Sequence, residues 1–422
     1  MIKDIFELST NETTSYAFNA SEIPAYALNE SLTRKVYLLP SANEKQIIKH
    51  FGDLTKAASD IDSIGLKNDS KLFEIIAECK GFKNIHPLQR SDTIQGNLAI
   101  LSTLSIYLLE ILGMDAITMQ PTSVDHGEYT ALMLIKEYLA LRGDKKRNKI
   151  IVSSFANNND FAMIESLGFE IVKVEEDIKE GITVQKLKKV LGNDVAALKI
   201  SIPNKFGYCE KNIREIQKLV HHYGALMYLD GANLNSILGV VRPGDMGFDI
   251  MHFDLEKAFS LADIDGLGCS PVACSAEFQD YLPNPRIVWN ERLQDYRYKY
   301  IEKSMGKVTP FYGNIVALEK ALSAIFCLGS EGIKDASEMA IISANYLKCS
   351  LNNKYKVIAD RKNMNSFTIS KDSKVDLEKV MNALIEYKIC YPTKNEKGIS
   401  LEISYALSKS SLDRIAKVLN EL

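Results

Sequence analysis

From Asn97 onward the chain alternates short apolar runs with amphipathic segments, and few architectures tolerate that pattern. The runs "KIIVSSF", "FEIVKVE", "VAALKIS" and "ALMYLD" are short and mainly apolar, with consecutive apolar residues such as "IIV" and "VAAL" rather than strict alternation. Between them lie "FAMIESLG", "TVQKLKKVLG" and "NIREIQKLVHHYG", whose apolar residues recur at helical spacing. A strand that is apolar on both faces needs cover on both. The pattern therefore predicts an α/β fold with a mostly parallel sheet between two layers of helices. Upstream, a helix over 98–112 leads into the strand "AITMQ", and "GEYTALMLIKEYLALRG" reads as a helix closed by Gly143.

The sheet pattern fades near 271–285. Beyond it come helices over 314–328 and 333–351, then strands "YKVIAD" and "NSFTIS". A helix "VDLEKVMNALIEYK", a strand "ISLEISYA" and a final helix complete a small α+β unit. The expected organisation is an N-terminal arm over 1–95, a large α/β domain over 96–305 and a C-terminal α+β domain over 306–422.

Composition narrows the functional classes. The 422 residues are 46% hydrophobic and 25% charged, as in soluble globular proteins. A net charge of -3 and a pI near 6.2 give no electrostatic pull toward nucleic acid or an anionic membrane. The six histidines and seven scattered cysteines show no metal-ligand spacing, so the thiols are expected in the core of a protein from a reducing compartment. "MIKDIFELST" lacks a signal-peptide core, and the most apolar stretch is interrupted by Glu110. The expectation is a cytoplasmic protein.

In open α/β sheets, ligands bind outside the carboxyl ends of the strands. Asp230 sits at such an end, in "YLDGANLNSILGVVRPGDMGFDIMHFDLEKAFS", and Lys257 follows one loop and one strand later. An aromatic aldehyde cofactor such as pyridoxal phosphate needs a lysine amine for its imine and a carboxylate for its ring nitrogen. The spacing alone does not single out that chemistry. Asp230 in a turn, and Lys257 in an ion pair with Glu256 or Asp254, are the alternative readings.

The wording around the two residues is more specific. It resembles the P-protein of glycine dehydrogenase (decarboxylating), in particular the separate second subunit. The similarity extends through "FELS", "FKNIHPLQ", "GMDAITMQP", "HGEYTALMLIKEYLALRGDKKR", "GFEIVKVEED", "FYGN" and "LGSEGIKDASEMAIISANYLK". The resemblance implies an aminotransferase-like, fold-type I pyridoxal-phosphate enzyme. Lys257 would form the imine, Asp230 would meet the ring nitrogen, and His252 would open the lysine-bearing motif. Such an enzyme decarboxylates glycine and passes the aminomethyl group to a lipoylated H-protein. It works as a homodimer or as a hetero-oligomer with a homologous first subunit.

Departures from the family gather where the cofactor is expected. The loop that cups the phosphate reads "TSVDHGE", putting Ser123, Val124 and Asp125 there. Asn157 replaces a histidine that stacks on the ring. Lys205 replaces a threonine, Glu256 a histidine, and Ala258 a threonine. "LADIDGLGCSP" replaces a glycine-rich run, and "LEISYALSKSS" a Glu-Pro-Thr-Glu segment. Ser123 and Asn157 are thus expected to border the cofactor. The leading expectation is decarboxylation of a small amino acid. A non-catalytic scaffold or regulatory homologue and a pyridoxal-phosphate enzyme with another substrate are the alternatives.

Overall fold

The structure is a computed structural model. It describes residues 45, 49, 75, 81, 85, 86, 89–156, 158–178, 181–261, 268–310, 312–358, 362–387 and 393–422. The chain divides into two compact units, 1–61 and 62–422. The first is described only at Lys45 and Lys49, and the sheets lie in the second.

A seven-stranded sheet forms the centre of the second unit, built from β1 (Ala116–Thr118), β2 (Lys149–Ser153), β3 (Glu170–Val174), β4 (Val195–Ser201), β5 (Leu226–Gly231), β6 (Ile250–Phe253) and β7 (Val272–Cys274). The spatial order is β1-β7-β6-β5-β4-β2-β3, and only β7 runs against its neighbours. Helices α1 (Gln95–Leu112), α2 (Val124–Leu141), α3 (Asn158–Ser166), α4 (Val184–Lys188) and α5 (Ile213–His222) join and cover the strands. Strand β4 is buried at six of its seven residues, which is why its sequence shows no polar alternation.

The strand period of two sorts side chains between two cores. Met227 and Leu229 of β5 enter one, with Leu98, Leu101, Leu104 and Leu108 of α1. Tyr228 enters the other, with Leu132 and Ile135 of α2. Helix α1 is long and apolar enough to cross a membrane by length and composition, yet its leucine stripe packs into the core. The predicted α/β class and mostly parallel sheet are both present.

Short helix α6 (Leu255–Phe259) follows β6, and a hairpin of β8 (Arg286–Asn290) and β9 (Asp295–Lys299) follows β7. The sequence reading missed this hairpin in the region where the parallel pattern fades. A long helical segment, α7 (Ile315–Ser350), is broken at Gly329, whose φ of 62° lies outside helical space. The two helices predicted here are the two halves of that segment. Beyond it, β10 (Ser366–Ser370), β11 (Thr393–Asn395) and β12 (Gly398–Glu402) form an antiparallel sheet ordered β10-β12-β11. Helices α8 (Leu377–Glu386) and α9 (Lys409–Glu421) pack with it around Phe367, Ile399 and Leu412. In the described part of the predicted strand "YKVIAD", residues 355–358, Val357 forms an isolated bridge with Ile369.

The C-terminal sheet is pinned to the large sheet through the loop after β4. The Met364 N–H donates to the Gly207 carbonyl at 2.8 Å. Gly207 has a φ of 79°, and a Cβ there would lie 1.9 Å from the Ser366 carbonyl oxygen. Only glycine permits that approach.

Candidate active site

Register assembles the site. Ser201 of β4 pairs with Asp230 of β5, and Asp230 pairs with His252 of β6. Two residues back along β4, Lys199 falls on the same face. The Asp230 carboxylate therefore meets groups from both neighbouring strands, β4 and β6, and from the loop after β5. Ser201 Oγ donates to Oδ2 at 3.0 Å, the Ala232 N–H donates to Oδ1 at 3.2 Å, and Lys199 Nζ lies 3.6 Å from Oδ2. Burial pushes the carboxyl up, but Lys199 and then His252 override it and hold Asp230 at about 2. It is a carboxylate throughout the ordinary pH range.

Lys199 is buried inside an apolar strand, and its ammonium also bonds Glu128 of α2. A buried lysine needs such partners, because an unpaired charge there costs several kcal/mol. The sequence reading passed over Lys199 and Glu128. The available signal was a lysine in the middle of "VAALKIS", where charges are almost never fully buried unless paired.

His252 is fully buried. Nδ1 meets the Tyr228 hydroxyl at 2.7 Å, and Nε2 lies 3.6 Å from Asp230 Oδ1 with no hydrogen-bond partner among the described residues. Burial lowers its pKa to about 4 despite the pull of Asp230. A neutral imidazole that accepts from the phenol at Nδ1 carries its proton on Nε2, on the Asp230 side.

Lys257 lies on α6. Its helix is capped by Asp254, whose carboxylate accepts from the Glu256 and Lys257 N–H groups at 2.9 and 3.1 Å. The amine reaches Asn233 Oδ1 at 3.1 Å and Glu402 Oε2, at the end of β12, at 3.4 Å. Burial lowers its pKa, but Glu402, Asp254 and Asp230 together raise it above the ordinary lysine value. The ion pair considered from sequence thus forms with a different partner. Asp254 is occupied as a helix cap, and Glu256 turns away from the amine. The Glu256 carboxyl packs on Gly268, with Oε1 2.1 Å from where a Cβ would sit, and the Thr122 carbonyl lies on the same side. Burial, then the charge of Asp254, raises Glu256 to about 6.

Ser123 is the N-cap of α2 and accepts from the His126 N–H at 3.1 Å. Asp125, in the first turn of α2, is exposed. Asn157 and residues 262–267 lie outside the described residues. Lys205 lines a cavity of about 70 Å³ with Glu176, Ser201, Glu210 and Asp230, outside the carboxyl ends of β2 to β5. That is where the strand order reverses between β2 and β4. The cavity has room for two or three waters and does not include Lys257. Cys269 and Cys274 are buried core thiols, as expected, and burial raises both pKa values, that of Cys274 to about 12, whereas Cys327 and Cys349 are exposed, so the expected core placement fails for those two.

Residues 129–393 match the aminotransferase class-V family. The probable glycine dehydrogenase (decarboxylating) subunit 2 of Thermotoga petrophila is 35% identical, over 99% of this chain and 92% of its own length. The protein of the same description from Treponema denticola is 37% identical, over 95% and 87%. Among solved structures, an inhibitor-bound glycine decarboxylase (P-protein) of the glycine cleavage system shares the fold with a TM-score of 0.77 at 16% identity, covering 99% of this chain and 97% of that one. A sphingosine-1-phosphate lyase from Burkholderia pseudomallei gives 0.68 at 12% identity, covering 96% and 94%. At 35–37% identity to the two curated relatives over nearly its whole length, the chain belongs to the glycine dehydrogenase (decarboxylating) subunit 2 family.

Proposed function

We propose that this protein is the cofactor-bearing second subunit of a glycine-decarboxylating enzyme, holding pyridoxal phosphate between Lys257 and Asp230. The carrying observation is Asp230, a carboxylate held ionised at the end of β5 and close enough to Lys257 to raise its pKa. The names of the relatives and the aminotransferase class-V match support the same reading.

The residues fit such a cofactor at its amine and ring ends. Lys257 supplies a primary amine that keeps 32% of its side-chain surface exposed. Asp230 supplies an anion for a protonated ring nitrogen, and the unpartnered His252 Nε2 lies beside it. Near the start of α2, where the family resemblance puts the phosphate, the Glu256 carboxyl is close by. Its raised pKa makes that end sensitive to pH near 6. When bound, pyridoxal phosphate supplies an electron sink for the pair released as carbon dioxide leaves. The chain's own work is positional. Ser201, the Ala232 N–H and Lys199 fix the Asp230 carboxylate, and neutral His252 screens it from the adjoining core without adding charge.

The partners in this reading are a homologous first subunit, which the subunit 2 names of the relatives support, and a lipoylated H-protein as acceptor of the aminomethyl group. A cytoplasmic setting belongs to it as well.

Visible absorbance after adding pyridoxal phosphate tests the reading. Wild type should develop an imine band that Lys257→Ala lacks. A folded wild type with no band at saturating cofactor sinks the proposal. With the band present, glycine-dependent exchange of labelled bicarbonate, measured with first subunit and H-protein added, separates glycine decarboxylation from work on another amino acid.

A further inference from the structure

The end of β12 sits directly on the lysine-bearing helix, through three contacts in sequence order. Glu402 Oε2 meets Lys257 Nζ at 3.4 Å, Ser404 Oγ meets Ser260 Oγ at 2.9 Å, and the Tyr405 hydroxyl donates to the Phe259 carbonyl at 3.1 Å. Ser260 closes α6 in the left-handed region, at a φ of 49°, and is fully buried with Ser404 against it. The segment that carries the amine and the segment that carries its counter-charge are therefore held as one seam. Helix α6 belongs to the large sheet and β12 to the C-terminal sheet.

Other groups face the amine as well. Asn233, in the loop after β5, accepts from it at 3.1 Å. Asp254, at the start of its own helix, and Asp230, from β5, add negative charge. Asp254 is committed to two backbone N–H groups, and Asp230 to Ser201, Ala232 and Lys199. Glu402 is the carboxylate with a direct bond to the amine, and its side chain is one-third exposed.

An ammonium ion has no lone pair for a carbonyl carbon. To react, the amine must first give up a proton. The nitrogen pair then forms the C–N bond as the C=O π pair moves to oxygen, and that oxygen leaves as water carrying the equivalent of the two remaining N–H protons. A carboxylate bonded to the ammonium opposes the first of these events.

We propose that Glu402 is a positioning residue for the Lys257 amine. From the C-terminal sheet it holds the amine as an ammonium ion against Asn233, and a carbonyl compound meets a reactive amine when the 402–405 segment gives way. The inference rests on Lys257 being the cofactor lysine, and it makes the seating of the C-terminal sheet a control on loading.

The test uses a probe that needs no cofactor. Full-length protein is treated with formaldehyde and cyanoborohydride at pH 7.5, and the rate of Lys257 methylation is followed by peptide mass spectrometry. Exposed Lys417 serves as the internal control. E402Q is expected to raise the Lys257 rate by about tenfold, because the carboxylate that favours its ammonium form is gone. E402D, which keeps the charge, should stay near wild type, and Lys417 should not change. Equal Lys257 rates for wild type and E402Q overturn the proposal, and so does an E402D increase as large as that of E402Q, which would point to lost packing. Pyridoxal phosphate absorbance is read on the same samples. A methylation increase without any cofactor band rejects the cofactor lysine and leaves the Glu402 contact standing. A band without the increase rejects Glu402 alone.

Discussion

Lys199 Nζ lies 3.6 Å from Asp230 Oδ2, a cation on one strand against an anion on the next, both at the heart of the sheet. The lysine is shared, since Glu128 of α2 holds it from the other side. One cation shared by two carboxylates leaves one net negative charge at this end of the sheet, and Lys199 is the charge that chiefly holds Asp230 ionised.

Removing the cation should therefore cost more than removing it together with one anion. Lys199→Met keeps the volume but strands Glu128 and Asp230, and should destabilise the fold by about 3–5 kcal/mol. Adding Glu128→Gln should recover a large part of that loss. Urea unfolding at pH 7 checks both. A double variant no more stable than Lys199→Met alone would show that the two charges are not coupled through the lysine.

Acid should unfold the protein in two overlapping steps. His252 falls from an ordinary 6.5 to about 4, so the unfolded chain binds its proton first and stability declines as pH drops through that window. Asp230 falls from 3.8 to about 2, so its contribution is complete above pH 4 and is lost on the way to 2. Each window corresponds to about 2–3 kcal/mol. An NMR titration should show the His252 imidazole neutral down to pH 5. Asp230→Asn should lower the His252 pKa further, because the carboxylate that favours its charged form is gone. An imidazole titrating near 6.5 would contradict the buried geometry.

Cofactor affinity should carry the signature of Glu256. At about 6 its carboxyl is mostly ionised at pH 7 and mostly protonated at pH 5, and an ionised carboxyl repels a neighbouring phosphate. Glu256→Gln should therefore bind pyridoxal phosphate more tightly than wild type at pH 7.5 and about equally at pH 5.5, a comparison in which the state of Lys257 is common to both proteins. Equilibrium dialysis measures this directly. The same ratio of affinities at both pH values would remove Glu256 from the phosphate's surroundings.

The layers of this fold, and the place of Asp230 in it, are legible in the sequence. Continuous apolar runs such as "VAALKIS" can only be strands covered on both faces, and "ALMYLD" ends on an acid where ligands collect. Lys257 can be singled out for the same reason, with the motif around it naming the family. These are local signals, carried by spacing of two or about four residues. The charges that decide what Asp230 and Lys257 can do are not local. Lys199 meets Glu128 across 71 positions, and Lys257 meets Glu402 across 145. Strand register aligns Ser201, Asp230 and His252 in one row, and the packing of the C-terminal sheet delivers Glu402 to the amine. No periodicity encodes a partner that far away. Ionisation at the site follows from which charges burial forces together, and folding alone makes that choice.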